Sequence, residues 1–175
     1  MKHIATLALL LVAGAGAVRA QDWPVKMTFS GTNVATTINL AINTVTDEQH
    51  SAGNGTFGAF TFRELHADGA SVQPPPGCAG PNYFAVYAGG GVFRFDDGSL
   101  LQVTVTGGTG CVDLAAGKAA LSVKYRITGG TGRFEGVSGT LNYSATMVPI
   151  FGNAANAPAM LRLTGEIEGT VSGLK

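Results

Sequence analysis

The chain has 175 residues with 11 basic and 11 acidic side chains, scattered rather than clustered, and only 13% of it is charged. Phosphate binding needs a concentrated basic surface, so this balance argues against a nucleic-acid partner. Abundant glycine (26 residues), frequent Thr, Val and Phe, and little Lys or Glu to clothe exposed helices point to an all-β chain of short strands joined by tight turns.

Lys2 and His3 give a basic start, Ile4 to Val12 form an apolar run, and Val18-Arg19-Ala20 ends a small-residue segment. That order predicts a signal peptide over residues 1–20, cleaved after Ala20, and a secreted or periplasmic protein. The uncharged stretch from Ile4 to Val18 is shorter than the ~18 residues a spanning helix needs, so no membrane span is expected after cleavage. No cysteine follows the small residues to carry a lipoprotein anchor. Residues 21–175 then form one β domain.

Period-two alternation recurs along that domain. Val25, Met27 and Phe29 share one face, as do Ile38, Leu40 and Ile42. From Thr56 to His66, Phe60 and Phe62 alternate with Thr61 and Arg63. Tyr83 to Ala88 and Val92 to Phe95 read as two short strands around a Gly89-Gly90-Gly91 turn, and Asp96-Asp97-Gly98 as a hairpin turn into Leu100 to Thr106. Ala119 to Thr128, Gly139 to Val148 and Met160 to Val171 complete the series, with Ala- and Asn-rich Phe151 to Pro158 as a loop. About eight strands with regular turn signals predict a single antiparallel β-barrel, or alternatively a β-sandwich.

The two cysteines, Cys78 and Cys111, are expected to form one disulfide in an oxidising compartment. It would tie the stiff segment Pro74-Pro75-Pro76-Gly77-Cys78 to a later strand. A reactive thiol pair is the alternative, but neither a Cys-x-x-Cys motif nor a neighbouring histidine supports it.

Val105-Thr106-Gly107-Gly108-Thr109-Gly110 recurs as Ile127-Thr128-Gly129-Gly130-Thr131-Gly132. A phosphate cradle would need a helix and a Lys-Ser or Lys-Thr after the glycines, and neither copy has them, so both read as strand-ending turns. The second copy continues as Arg133-Phe134-Glu135-Gly136-Val137-Ser138-Gly139. This strand, Gly-Gly-Thr-Gly-x-Phe, turn and strand resembles a signature of the allene oxide cyclase and dirigent barrels, which similar secreted bacterial proteins share. The resemblance implies an eight-stranded antiparallel barrel with a central cavity, often assembled as a homo-oligomer. The matching residues (Gly129, Gly130, Thr131, Gly132 and Phe134) make a structural turn in which Phe134 can plug a barrel rim, so no catalytic residue is carried over from the family.

Lys124, Arg126, Arg162, Glu166 and Glu168 fall opposite the apolar faces of their strands and are expected outside, as surface pairs. Glu64 and His66 continue the phase of Phe60 and Phe62, which would aim them into the barrel or its mouth, where acid–base work is feasible. The competing and simpler reading ends the strand by Glu64, with an Ala67-Asp68-Gly69 turn and both side chains in water. Tyr83, Tyr87, Tyr125 and Tyr143 are in phase with apolar neighbours, either as core or as the lining of a ligand pocket. His50 lies in a polar loop, and isolated histidines predict no metal site; no cofactor is expected. The reading is an exported barrel binding a small apolar ligand. A cyclase, isomerase or dirigent-like activity and a filled structural barrel are the alternatives.

Overall fold

The computed structural model describes residues 21–71, 73–78, 82–113, 116–152 and 158–174. The expected signal peptide lies outside the described residues. Eight strands follow in order: β1 Asp22–Ala35, β2 Val45–Gly55, β3 Phe60–Ala70, β4 Asn82–Phe95, β5 Leu100–Asp113, β6 Lys118–Gly130, β7 Ser138–Gly152 and β8 Pro158–Ser172. Each runs antiparallel to the next, and β8 pairs back onto β1, so the sheet closes into a barrel rather than a sandwich. Closure leaves no sheet edge unpaired. The described residues contain one short 3₁₀ turn, Gly132–Phe134, and no α-helix.

Alternation sorts inside from outside. Leu121, Val123, Tyr125 and Ile127 of β6 and Leu141, Tyr143, Ala145 and Met147 of β7 are buried. Lys124 and Arg126 are exposed between them. Outside, Lys26 and Glu168 pair at 3.0 Å with both side chains largely exposed, a geometry that adds little stability.

Several expected boundaries move. Ile38, Leu40 and Ile42 sit exposed in the β1–β2 loop, because no strand lies opposite to answer their alternation. The neighbouring polar segment that contains His50 is strand β2, and β3 starts only at Phe60. Phe151 and Gly152 belong to β7 and Pro158 to β8; residues 153–157 between them lie outside the described residues.

The Gly89-Gly90-Gly91 run is not a turn but the middle of β4. A β-carbon on Gly89 would fall 2.3 Å from the Leu65 carbonyl oxygen and 2.7 Å from His66 Cα, and one on Gly91 would fall 2.5 Å from the Phe62 ring. These glycines therefore make room for the β3 backbone at Leu65–His66 and for the Phe62 ring rather than reverse the chain. Likewise the first glycine repeat stays within β5, whose pairing with β6 shifts register between Val105 and Gly107, as at a β-bulge. Only the second copy ends its strand, at Gly130.

The two barrel ends differ. At the end carrying the β2–β3, β4–β5 and β6–β7 turns, Phe134 is wholly buried and packs on Phe95 and Phe57 with ring centroids 4.8 and 5.3 Å apart. Arg133 covers this plug, its guanidinium 4.9 Å from the Phe134 ring centre, donating to the Phe57 carbonyl at 2.6 Å and pairing with Asp97 at 3.3 Å. This end is closed. The opposite end carries the β1–β2 loop and the Cys78–Cys111 disulfide, whose Cα atoms are 5.6 Å apart.

Candidate functional site

From the closed end upward, the interior is aromatic and then turns polar. Phe62 stacks on Phe93 with centroids 4.0 Å apart, and Phe29 on Tyr143 at 4.6 Å. Above them the Tyr125 hydroxyl donates to Glu64 Oε1 at 2.6 Å, and the Tyr143 hydroxyl donates to Gln49 Oε1 at 2.9 Å. Gln49 Nε2 in turn donates to Ser51 Oγ at 2.8 Å. Burial pushes both tyrosines well above the usual phenol range, with the Glu64 charge adding to it, so they stay neutral donors.

Replacing Tyr143 with phenylalanine keeps the stack on Phe29 but leaves Gln49 Oε1 buried without its donor. The expected cost is about 1–3 kcal/mol in urea unfolding, with secondary structure unchanged.

One step higher, β3 runs on to Ala70, so the simpler reading of Glu64 and His66 as solvent-facing strand-end residues is overturned. Glu64 is 3% and His66 1% exposed. The strand persists because β2 and β4 pair with it on both sides, His66 lying opposite Asp47 and Gly89. His66 Nδ1 faces Glu64 Oε2 at 3.7 Å, while Nε2 faces Asp68 Oδ2 at 3.6 Å and Asp47 Oδ2 at 4.0 Å. Burial alone would lower the imidazole's affinity for a proton, but the carboxylates of Asp68 and Glu64 outweigh it and raise its pKa to about 10. Asp47 is raised to about 6, first by burial and then by the Asp68 charge, with His66 opposing.

Asp47, His66, Asp68 and Asn33 line an open-ended cavity of about 570 Å³, whose walls include Phe84, Val112, Leu121, Met147 and Leu161 and, among polar side chains, Thr44, Asp113 and Lys118. Of the side chains singled out from sequence, His66 lines this cavity, and Glu64, Tyr125 and Tyr143 lie beneath it. Tyr83 is half-buried and does not line it. Tyr87 is the extra residue where β4 slips register against β3; it points outward and donates to the Ala70 carbonyl at 2.5 Å.

Asp47, Asp68, Asn33 and Gln49 were not singled out from sequence. The usable signal was phase: Asp68 extends Phe60, Phe62, Glu64 and His66, and Asn33 extends Phe29 along β1.

Fold and site together define a closed eight-stranded antiparallel β-barrel with a filled aromatic end and an open end floored by ionisable groups. No protein-family model, curated protein or solved structure matches the chain.

Proposed function

We propose that this is an exported binding protein that holds a small apolar molecule in the open end of the barrel, the ligand's polar end resting on Asp47, His66 and Asp68. The observation that carries this reading is the cavity of about 570 Å³, lined mainly by apolar side chains, with Asn33, Asp47, His66 and Asp68 gathered on one part of its surface. Its size falls in the range of small-molecule pockets, and a few convergent polar groups in an apolar cleft are how such pockets orient a ligand. The Cys78–Cys111 disulfide supports an oxidising compartment, in keeping with export.

Kinship with the allene oxide cyclase and dirigent barrels is part of the proposal. The barrel agrees with it, but the Gly129-to-Phe134 segment that suggests it forms the closed end, away from the cavity. A cyclase- or isomerase-like activity has one specific support: Glu64 Oε2, buried without a hydrogen bond, faces the His66 ring directly under the cavity.

Native mass spectrometry of protein recovered from its own host should find an apolar molecule bound one per barrel, and the same spectrum counts subunits. Leu161→Trp, which fills the cavity wall, should displace it and weaken binding of the neutral dye N-phenyl-1-naphthylamine at least tenfold. A bare mass together with no saturable dye binding would reject the reading in favour of a structural barrel.

A further inference from the structure

We propose that the floor of the open end is a divalent transition-metal site, with His66 Nε2, one carboxylate oxygen each from Asp47 and Asp68, and Asn33 Oδ1 as ligands, and with Glu64 supporting the imidazole from behind. The proposal goes beyond the binding reading and stands whether or not an apolar molecule occupies the cavity.

The donor atoms already converge. One atom from each of Asp47, His66 and Asp68 lies within 4.8 Å of the others. Two ligands bound ~2.0–2.2 Å from one ion lie at most ~4.4 Å apart. The 3.6 and 4.0 Å separations of Nε2 from the two carboxylates are within that limit.

Asn33 adds a separate sign. It is 2% exposed, lines the same cavity, and its Oδ1 has no hydrogen-bond partner. Register places it opposite Gln49, one diagonal step from Asp47 on the inner face. Asp68 Oδ1 is likewise buried and unpartnered.

The rear of the imidazole is built for a ligand's role. A histidine bound to metal through Nε2 carries its hydrogen on Nδ1 and typically gives it to a carboxylate, which fixes the ring. Here Nδ1 and Glu64 Oε2 face each other at 3.7 Å, both buried and unpartnered, while Tyr125 secures the other Glu64 oxygen at 2.6 Å.

Charge points the same way. Three carboxylates surround one imidazole, and the lysine that lines the same cavity, Lys118, is exposed. A divalent ion balances that excess of negative charge better than a single proton does. One nitrogen and three oxygens suit Zn²⁺ or Mn²⁺, whereas Ca²⁺ seeks six to eight oxygens. Remaining coordination positions would open into the cavity.

The test is calorimetric titration of the chelator-stripped full chain with Zn²⁺ and, separately, Mn²⁺. At least one ion should bind one per chain and raise the melting temperature by about 5 °C or more at a hundredfold excess over Kd. Asp68→Asn and His66→Gln should each weaken binding more than tenfold, and Glu64→Gln, behind the ligand, by about tenfold. Cooperative melting of each metal-free variant checks that it folds, and Asn33→Ala serves if Asp68→Asn does not. No saturable binding of either ion up to about 1 mM, or binding unchanged in the folded variants, would overturn the site.

Discussion

Replacing His66 with leucine is expected to destabilise the metal-free barrel by about 3–5 kcal/mol at pH 7, the usual cost of removing one partner from a buried ionic cluster. The imidazole is the central cation among Glu64, Asp47 and Asp68, and leucine would leave those carboxylates facing one another at a buried floor. The pH dependence separates this from a simple packing defect. A histidine raised from 6.5 to about 10 contributes its full stabilisation below pH 6.5 and loses it as pH climbs through 10. Asp47, raised from 3.8 to about 6, likewise contributes stability in acid that is lost as pH rises through 6. The parent protein should therefore be more stable near pH 5–6 than at pH 9–10. The gap between parent and variant should shrink from pH 7 toward pH 10, as the imidazole loses its proton. Urea unfolding of both proteins with chelator at pH 5, 7 and 9 measures this directly. A gap that stays constant across that range would mean His66 acts only by filling space.

The sequence made the barrel readable wherever the interior is apolar. Val25-Met27-Phe29, Leu121 to Ile127 and Leu141 to Met147 alternate because each inward residue packs in the core. β2 is hidden for the opposite reason. Its inward residues are Asp47, Gln49 and Ser51, which face the polar column, so both faces of the strand are hydrophilic and no alternation remains to be seen. Ile38, Leu40 and Ile42 show the converse failure, an apolar alternation in a loop that no strand covers. Local pattern reports what a segment can do, while pairing with neighbours decides what it does.

The candidate site was half legible for the same reason. Phase alone puts Glu64 and His66 inward, but a carboxylate and an imidazole in a core violate the burial rule unless partners are supplied. One partner is local, Asp68 two residues beyond His66, but Asp47 of β2 and Tyr125 of β6 come from other strands. The glycines of β4 were equally ambiguous, since Gly89 and Gly91 read as a turn until the Leu65–His66 backbone and the Phe62 ring are seen against them. What sequence could not provide was the difference between the ends. Phe134 and Arg133 close one, while at the other no plug of that kind among the described residues fills the cavity next to His66.

Removing the Cys78–Cys111 bridge by the double replacement Cys78→Ala and Cys111→Ala should lower stability by roughly 4 kcal/mol in the chain-entropy picture. The cysteines are 33 positions apart, so the unfolded chain regains the freedom of a long loop. For a domain of this size that corresponds to a melting temperature about 10 °C lower. The barrel itself should survive, since β5 remains paired with β4 and β6 on both sides of Cys111. The effect should instead reach the open end. The bridge fastens the Pro75–Cys78 turn, in which the Cys78 amide donates to the Pro75 carbonyl, beside Val112 and Asp113, which line the cavity. Thermal melts followed by circular dichroism, paired with dye binding at a temperature well below both transitions, distinguish the two consequences. A lower melting temperature with unchanged dye affinity would make the bridge a clamp on the unfolded chain alone. Weakened affinity in a still-folded barrel would make it part of the mouth, because the segment it anchors then helps hold the cavity wall in place.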